Sequence, residues 1–434
     1  MRNVRFLQAA ACAIAASVLP SQVSLHDLPA LARARAERQR PAQEQALQPF
    51  WTDLALEYRD NAQYLDQRIA MVAALGDSVV PLLLERLQPV AANAQSRNLA
   101  ANCRRVLERL DPSSFLDALV ELARSNNEVG RVESIQLLGR SGSPRAVPVL
   151  MSLHDQAQQG EHLLILQSLA RLADPSPADR VVSGLGSSDK SIRGAILDYL
   201  IAAKPASALP TVLQSLPNEK ERNLVPKYVQ YLAAVAREND FAARTLLPLL
   251  DREKMDFRDL LTMVEKLAAI APKEHEPTLK KLHEWIDAGE TGSLALAAAT
   301  TLRSLGDKSG MKQLLATINE QMKRPQRRNE PQLYEDRANL HCANEDWKDA
   351  AEDFEKVLDL AQSDLLRRRI RGELVRCEAH RSRWDRMLKW LKESEWTLSE
   401  IDALALRDSA VKEGLTRPSV RAWLQTQQRE AGGK

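Results

Sequence analysis

The chain has 434 residues, 44% apolar and only 4% aromatic, enough for one repeat array or for two or three domains with a sizeable core. Leu and Ala dominate, which favours helix over strand. Sixty Lys and Arg against 58 Asp and Glu leave a net charge of +2, so no overall field directs the chain to nucleic acid or to an anionic membrane.

Residues 1–24 read as a secretory signal peptide. Arg2 and Arg5 form a charged start, an apolar run of 14 residues extends from Phe6 to Leu19, and Pro20 and Ser21 close it. The run is too short to span a bilayer comfortably. No clean A-x-A site follows it, and the apolar run continues past Cys12, unlike the run before a lipoprotein cysteine. Arg33, Arg35, Arg38 and Arg40 keep a mitochondrial transit peptide as the rival; Asp27 and the unbroken apolar run count against it. The expected location is periplasmic or secreted, in a bacterial cell, with mitochondrial or cytoplasmic placement as runner-up. Residues 25–54 read as a flexible or capping segment.

The stretch "LGRSGSPRAVPVL", 138–150, sets the pattern for most of the chain. Gly142 frees the backbone to turn. Ser143 is expected to cap the next helix, with Pro144 in its first turn, where no amide hydrogen is needed. Val132, Ile135 and Leu138 share one helical face before the turn, and Val147, Leu150 and Leu153 share one after it. Related segments place anchors at Val72, Leu107, Leu138, Leu169, Leu200, Leu232, Leu267 and Leu302, spaced 35, 31, 31, 31, 32, 35 and 35 residues apart. Pro81, Pro148 and Pro210 fall 9 or 10 residues after an anchor. Eight copies at a near-constant period specify an array of helix–turn–helix units. One helix pair cannot bury its own apolar stripe, so neighbours must stack. Residues 55–320 resemble the HEAT-repeat family, in its short phycobilisome-lyase-like form. The resemblance implies an α-solenoid with an extended concave face; it specifies architecture and hardly any function.

"KRPQRRNEPQ", 323–332, breaks the pattern, and 321–332 reads as a basic linker. Beyond it, Tyr334, Ala338 and His341 lie on one helical face and Ala350, Phe354 and Val357 on the next, with "NEDW" as the turn between. This resembles a tetratricopeptide (TPR) repeat, with Ala338 at its small-residue position, Ala350 and Phe354 as its A-x3-F signature, and His341 where an aromatic is usual. Residues 363–395 read as a second, degenerate copy with Gly372 and Trp384 as the nearest equivalents, so the TPR-like module spans 333–396. Residues 397–434 read as capping helices and a tail. "LALRDSAVKEGLTRPSVRAWL" resembles the segment that often ends TPR proteins, and Thr397 with Glu400 forms a capping box ahead of it.

No constellation for catalysis stands out. The seven histidines are scattered, with no H-x3-H, HExxH or CxxC; His275 and His283 are eight apart with Pro277 between them. There is no nucleophile elbow and no phosphate loop of Walker or Rossmann type; "SGLGSSDK" at 183–190 falls where a repeat turn is due. "NEDWKDAAEDFE" carries six acids at the spacing of a solvated face, without calcium-loop order. Cys12, Cys103, Cys342 and Cys377 leave three cysteines after cleavage, which is no disulfide framework; a bridge between Cys342 and Cys377 stays open, with buried free thiols the expectation.

"RRRIRGELVRCEAHRSRWDR", 367–386, carries eight arginines against three acids. Arg367, Arg368, Arg371, Arg383 and Arg386 are the candidate contacts for an anionic partner, because guanidinium forks suit carboxylates and phosphates; the rival is a solvated helix face paired with nearby acids. The reading is therefore an all-α protein, an α-solenoid of stacked helix pairs. It would be an exported, non-enzymatic protein–protein interaction scaffold that takes a protein or peptide through the concave solenoid surface, an acidic one where the arginine run is the contact. It would have no cofactor, no metal, no nucleic acid and no membrane span in the mature chain. The alternatives are an assembly subunit of an envelope or membrane-associated complex, or a HEAT-type lyase-like enzyme.

Overall fold

The structure is a computed structural model and describes residues 40–87, 93–124, 128–157, 159–251, 255–288 and 291–432. The expected signal peptide, Cys12 and residues 25–39 lie outside them. Every regular element among the described residues is helical, none is a strand, and the fold is all-α. The chain divides into two compact units at Leu172/Ala173, inside the stretch 55–320.

In the first unit, after one helical turn at Trp51–Leu54, the helices come in pairs: α1 (Tyr58–Ala73) with α2 (Val80–Arg86), α3 (Ala94–Leu107) with α4 (Leu116–Ala123), and α5 (Glu128–Arg140) with α6 (Ala146–His154). α7 (Gln159–Leu172) closes the unit. α1 packs on α3, and α5 packs on α7. The second unit begins with α8 (Ala178–Val182) and continues with the pairs α9 (Lys190–Ala203) and α10 (Leu209–Ser215), α11 (Val225–Val235) and α12 (Asp240–Leu246), α13 (Phe257–Ile270) and α14 (Glu276–Asp287), and α15 (Ser293–Ser304) and α16 (Ser309–Met322). Here each odd-numbered helix packs on the next, from α9 through α15. Among the described residues no single helix is long and apolar enough to cross a membrane.

Seven of the eight anchors lie near the ends of first helices of these pairs and Leu169 near the end of α7, and all are at most 1% exposed. The residue four places after the anchor takes left-handed backbone angles at Gly76, Gly142, Ala173, Lys204 and Gly306. Left-handed closure ends a helix abruptly and lets the chain double back. After Leu232 and Leu267 the left-handed residue comes later, at Glu238 and Glu274. Glycine is the residue without a steric penalty there, so Ala173→Gly, at an exposed position with φ 52°, should raise the unfolding free energy by about 0.5–1 kcal/mol, read from the urea midpoint.

A second recurring position escapes the sequence pattern. The residue just before the anchor is Ser168, Tyr199, Tyr231 or Thr301 in four copies, and each hydroxyl donates to a backbone carbonyl at or beyond the preceding first helix. The acceptors are Ile135 (2.9 Å), Asp174 (2.8 Å), Pro205 (2.6 Å) and Val264 (3.0 Å) respectively. The Ser168, Tyr231 and Thr301 bonds fix the register of their helices on the one before within each unit, and the tyrosine bonds let Tyr199 and Tyr231 be buried with their hydroxyls satisfied.

The expected cap at Ser143 is not what starts α6. The helix begins at Ala146, without a side-chain cap, after a tight turn in which the Ala146 N–H donates to Ser143 O (3.0 Å). Ser141 ties the turn together instead: its hydroxyl donates to Leu138 O (2.7 Å) and accepts from the Ser143 N–H (3.2 Å). Tight i→i+3 turns are common at helix starts and satisfy some of the same donors.

The second unit continues with α17 (Pro331–Ala343) and α18 (Trp347–Leu360), then α19 (Asp364–His380) and α20 (Trp384–Glu393). The connection from α16 to α17 covers only 323–330. Ala338, Ala350, Phe354 and Val357 are buried in one core with Leu374, Val375, Met387 and Leu391. The turns after α17 and α19 are alike. Asp346 N–H donates to His341 O and Arg383 N–H to Glu378 O (both 2.9 Å), around left-handed Glu345 and Ser382. This equivalence pairs Trp384 with Trp347 and Val375 with Ala338. Gly372 instead makes room for an aromatic ring, since a Cβ there would sit 2.4 Å from Trp396. α21 (Leu398–Arg407), α22 (Ser409–Leu415) and α23 (Pro418–Gly432) end the chain, and α21 opens on the Thr397–Glu400 capping box.

Candidate anion-binding site

Four of the eight arginines of 367–386 meet acids from distant parts of the sequence. Arg369 holds Glu335 through both nitrogens (2.7 Å each), and Arg368 holds Glu400 (2.8 Å). Arg376 bridges Glu373 (2.6 Å) and Asp408 (3.2 Å), while Arg381 reaches Glu378 (3.2 Å). Arg386 contacts Glu355 (2.5 Å) and lies 3.5 Å from Glu378, whose side chain is fully buried. Glu335, Glu355, Glu400 and Asp408 come from outside the run, and with Glu373 and Glu378 six carboxylates pair with five of the eight arginines. Arg367 donates to Ala361 O (3.0 Å), closing the end of α18. The Arg371 Nε is buried without a hydrogen-bond partner. Of the five candidates only Arg383 is exposed with its guanidinium in no hydrogen bond or ion pair among the described residues.

The structure brings Arg383 and Arg386 together with a residue that sequence reasoning missed. A cavity of about 420 Å³ is lined by Ser382, Arg383, Trp384, Asp385, Arg386, Arg417, Pro418 and Ser419. Arg417 lies with its guanidinium 4.6 Å from the Trp384 ring centre, is ion-paired to Glu413, and its Nε is buried without a partner. The first turns of α20 and α23 both border the cavity, so free backbone N–H groups and the positive ends of two helix dipoles add to the three guanidinium groups. Asp385 is the one acid in the lining. A carboxylate or phosphate oxygen finds donors here from both main chain and side chains. The signal for Arg417 was available, as an arginine directly before a helix-starting proline, but nothing local ties it to a run ending 31 residues earlier.

Other charged residues of α17 to α22 are well paired. Asp408 accepts from the Ala410 and Val411 N–H groups and pairs with His380 (3.0 Å) and Arg376, so it ties α22 to α19. Burial alone would raise its carboxyl, but these bonds outweigh it and hold the group below the usual range. The His380 ring stacks on Trp347 at 3.8 Å, joining α19 to the start of α18. Of the six acids in 345–355, only Asp353 is buried, and Arg337 pairs with it (2.6 Å).

His275 and His283, the pair eight residues apart, have structural partners. His275 bridges Asp240 (2.9 Å) and Thr278 (2.7 Å), and His283 meets Asp307 (2.7 Å). Among the described residues no group of three or more His, Cys, Asp or Glu is placed to hold a metal ion. A second cavity, of about 550 Å³, has a polar rim of Ser187, Ser188, Gln214, Asn218, Lys220 and Glu221; its deep charges, Arg193 and Glu219, are committed to each other. No protein-family model matches the chain, and a search of curated proteins finds no match either.

Proposed function

We propose that this protein is an exported, non-enzymatic interaction scaffold. In this reading it is an α-solenoid of HEAT-like pairs closed by TPR-like pairs, and it docks an acidic segment of a partner protein at the Arg383–Arg386–Arg417 cavity. The observation that carries the reading is the unpaired, exposed Arg383 beside two further guanidinium groups and two helix starts. Within the second unit the succession of like helices from α9 to α15, each packed on the next, supports the scaffold part, because stacked helix pairs offer long surfaces for protein binding. The N-terminal charged and apolar segments support export.

The test compares the wild-type chain with an Arg383→Glu/Arg417→Glu variant. A labelled oligoglutamate peptide should bind the wild type in low salt and lose at least about tenfold in affinity to the variant, since two attractive charges become repulsive. In parallel, both chains are used to capture proteins from the envelope fraction of the source cells. Partners kept equally by both chains would leave a scaffold with its docking surface elsewhere. A chain that captures nothing in mild salt would remove the scaffold reading itself.

A further inference from the structure

We infer that Cys342 and Cys377 are an oxidisable pair, which an exchangeable disulfide converts into a covalent cross-link between α17 and α19. Both are free thiols here, with their sulfur atoms 3.9 Å apart. A disulfide needs about 2.05 Å between sulfurs, so less than about 2 Å has to close between two short side chains. Cys342 is the next-to-last residue of α17, where the helix gives way to a turn, and Cys377 lies inside α19. Both helices pack against α18.

The two thiols differ in access. Cys342 is half-buried, whereas Cys377 has no exposed surface. The Cys377 thiol is pushed far up, first by its hydrogen bond with Cys342 and then by burial. Cys342 is therefore the sulfur that a reagent from solvent meets first. Its thiolate attacks one sulfur of a small-molecule or protein disulfide, forming a mixed disulfide and expelling one thiolate. Cys377 then attacks the Cys342 sulfur, gives up its proton, and expels the second thiolate, which is protonated. Two electrons pass from the pair to the oxidant, and one reagent disulfide becomes two thiols. Cys103 does not compete: it is fully buried, and burial pushes its thiol up to about 12.

The bond would close a loop that starts in α17, includes all of α18 and ends in α19, and it would hold fixed the helix that leads into Arg383. An exported protein meets oxidants of this class routinely. The cross-link does not rest on the arginine cavity and stands or falls separately from it.

The test uses the full chain, folded, with glutathione disulfide as the probe, followed by alkylation, proteolysis without reductant and mass spectrometry. The expected result is one peptide joining Cys342 to Cys377 within a single chain, with loss of two alkylatable thiols while Cys103 stays reduced. Cys377→Ala should stop the reaction at a stable glutathione adduct on Cys342, and Cys342→Ser should leave Cys377 unmodified. The idea is overturned if glutathione stays on Cys342 in the wild type, if both thiols remain alkylatable, or if the link forms only between two chains.

Discussion

Gly139→Ala should lower the stability of the chain by about 2–3 kcal/mol, although alanine is the better helix former by about 1 kcal/mol. A Cβ on residue 139 would lie 2.6 Å from the Ser168 Cβ, 2.7 Å from its Cα and 2.8 Å from its hydroxyl. The nearest obstacle includes backbone, so no rotamer change relieves it, and α5 and α7 must move apart. Moving them also strains the bond from the Ser168 hydroxyl to Ile135 O, in the middle of a buried contact. Three residues away, Gly142 has φ 61° and nothing within 4 Å of a built Cβ, so Gly142→Ala should cost only about 1 kcal/mol, as backbone strain. Urea titrations of the two variants beside the wild type separate the effects. A Gly139→Ala protein as stable as the wild type would show that the close approach is not needed.

These two glycines also mark what one sequence reveals. Gly142 belongs to a turn that recurs with the period, so its role could be read from the pattern. Gly139 could not, because its partner lies one helix further on and the corresponding residues of other copies are not glycine. The anchors were legible because burial demands the same residue type in every copy. The hydroxyls before them were not, because Ser, Tyr and Thr reach different carbonyls with side chains of different length. The basic run looked strongly positive because sequence counts only near neighbours, and the carboxylates of Glu335, Glu355, Glu400 and Asp408 approach through packing. The arginine cavity was half visible for the same reason: Arg383 and Arg386 stood in the run, and Arg417 arrived on another helix.

Arg193→Ala should cost about 3 kcal/mol at neutral pH, because it leaves a buried carboxylate without its counter-ion. Glu219 has 1% of its side chain exposed and Arg193 11%. The two form a fork of 2.9 and 2.8 Å, and one guanidinium nitrogen also donates to Ser187 O (2.9 Å) and Ser188 O (3.2 Å). Glu219 also accepts from the Glu221 N–H (2.9 Å). One residue thus joins the loop before α9 to the loop after α10. Burial alone would push the Glu219 carboxyl up, but the Arg193 bonds and the backbone N–H groups outweigh it and hold it below its usual value. A carboxyl lowered on folding contributes stability above its unfolded pKa, about 4.3, and loses that contribution as the pH falls through the folded value. In Arg193→Ala the same carboxyl is buried without a cation, so burial now raises it and protonation relieves the strain. The gap between wild type and variant should therefore be widest near pH 7 and narrow as the pH falls from the variant's raised carboxyl value toward the wild type's lowered one. Replacing both residues, as Arg193→Met with Glu219→Leu, should recover much of the loss, because the cost lies in the stranded charge rather than in the missing pair. Thermal unfolding of the wild type, the single variant and the double variant at pH 7 and pH 4 decides the point. A deficit for Arg193→Ala that is equal at both pH values would mean that the arginine acts through packing and its carbonyl bonds, with Glu219 a bystander.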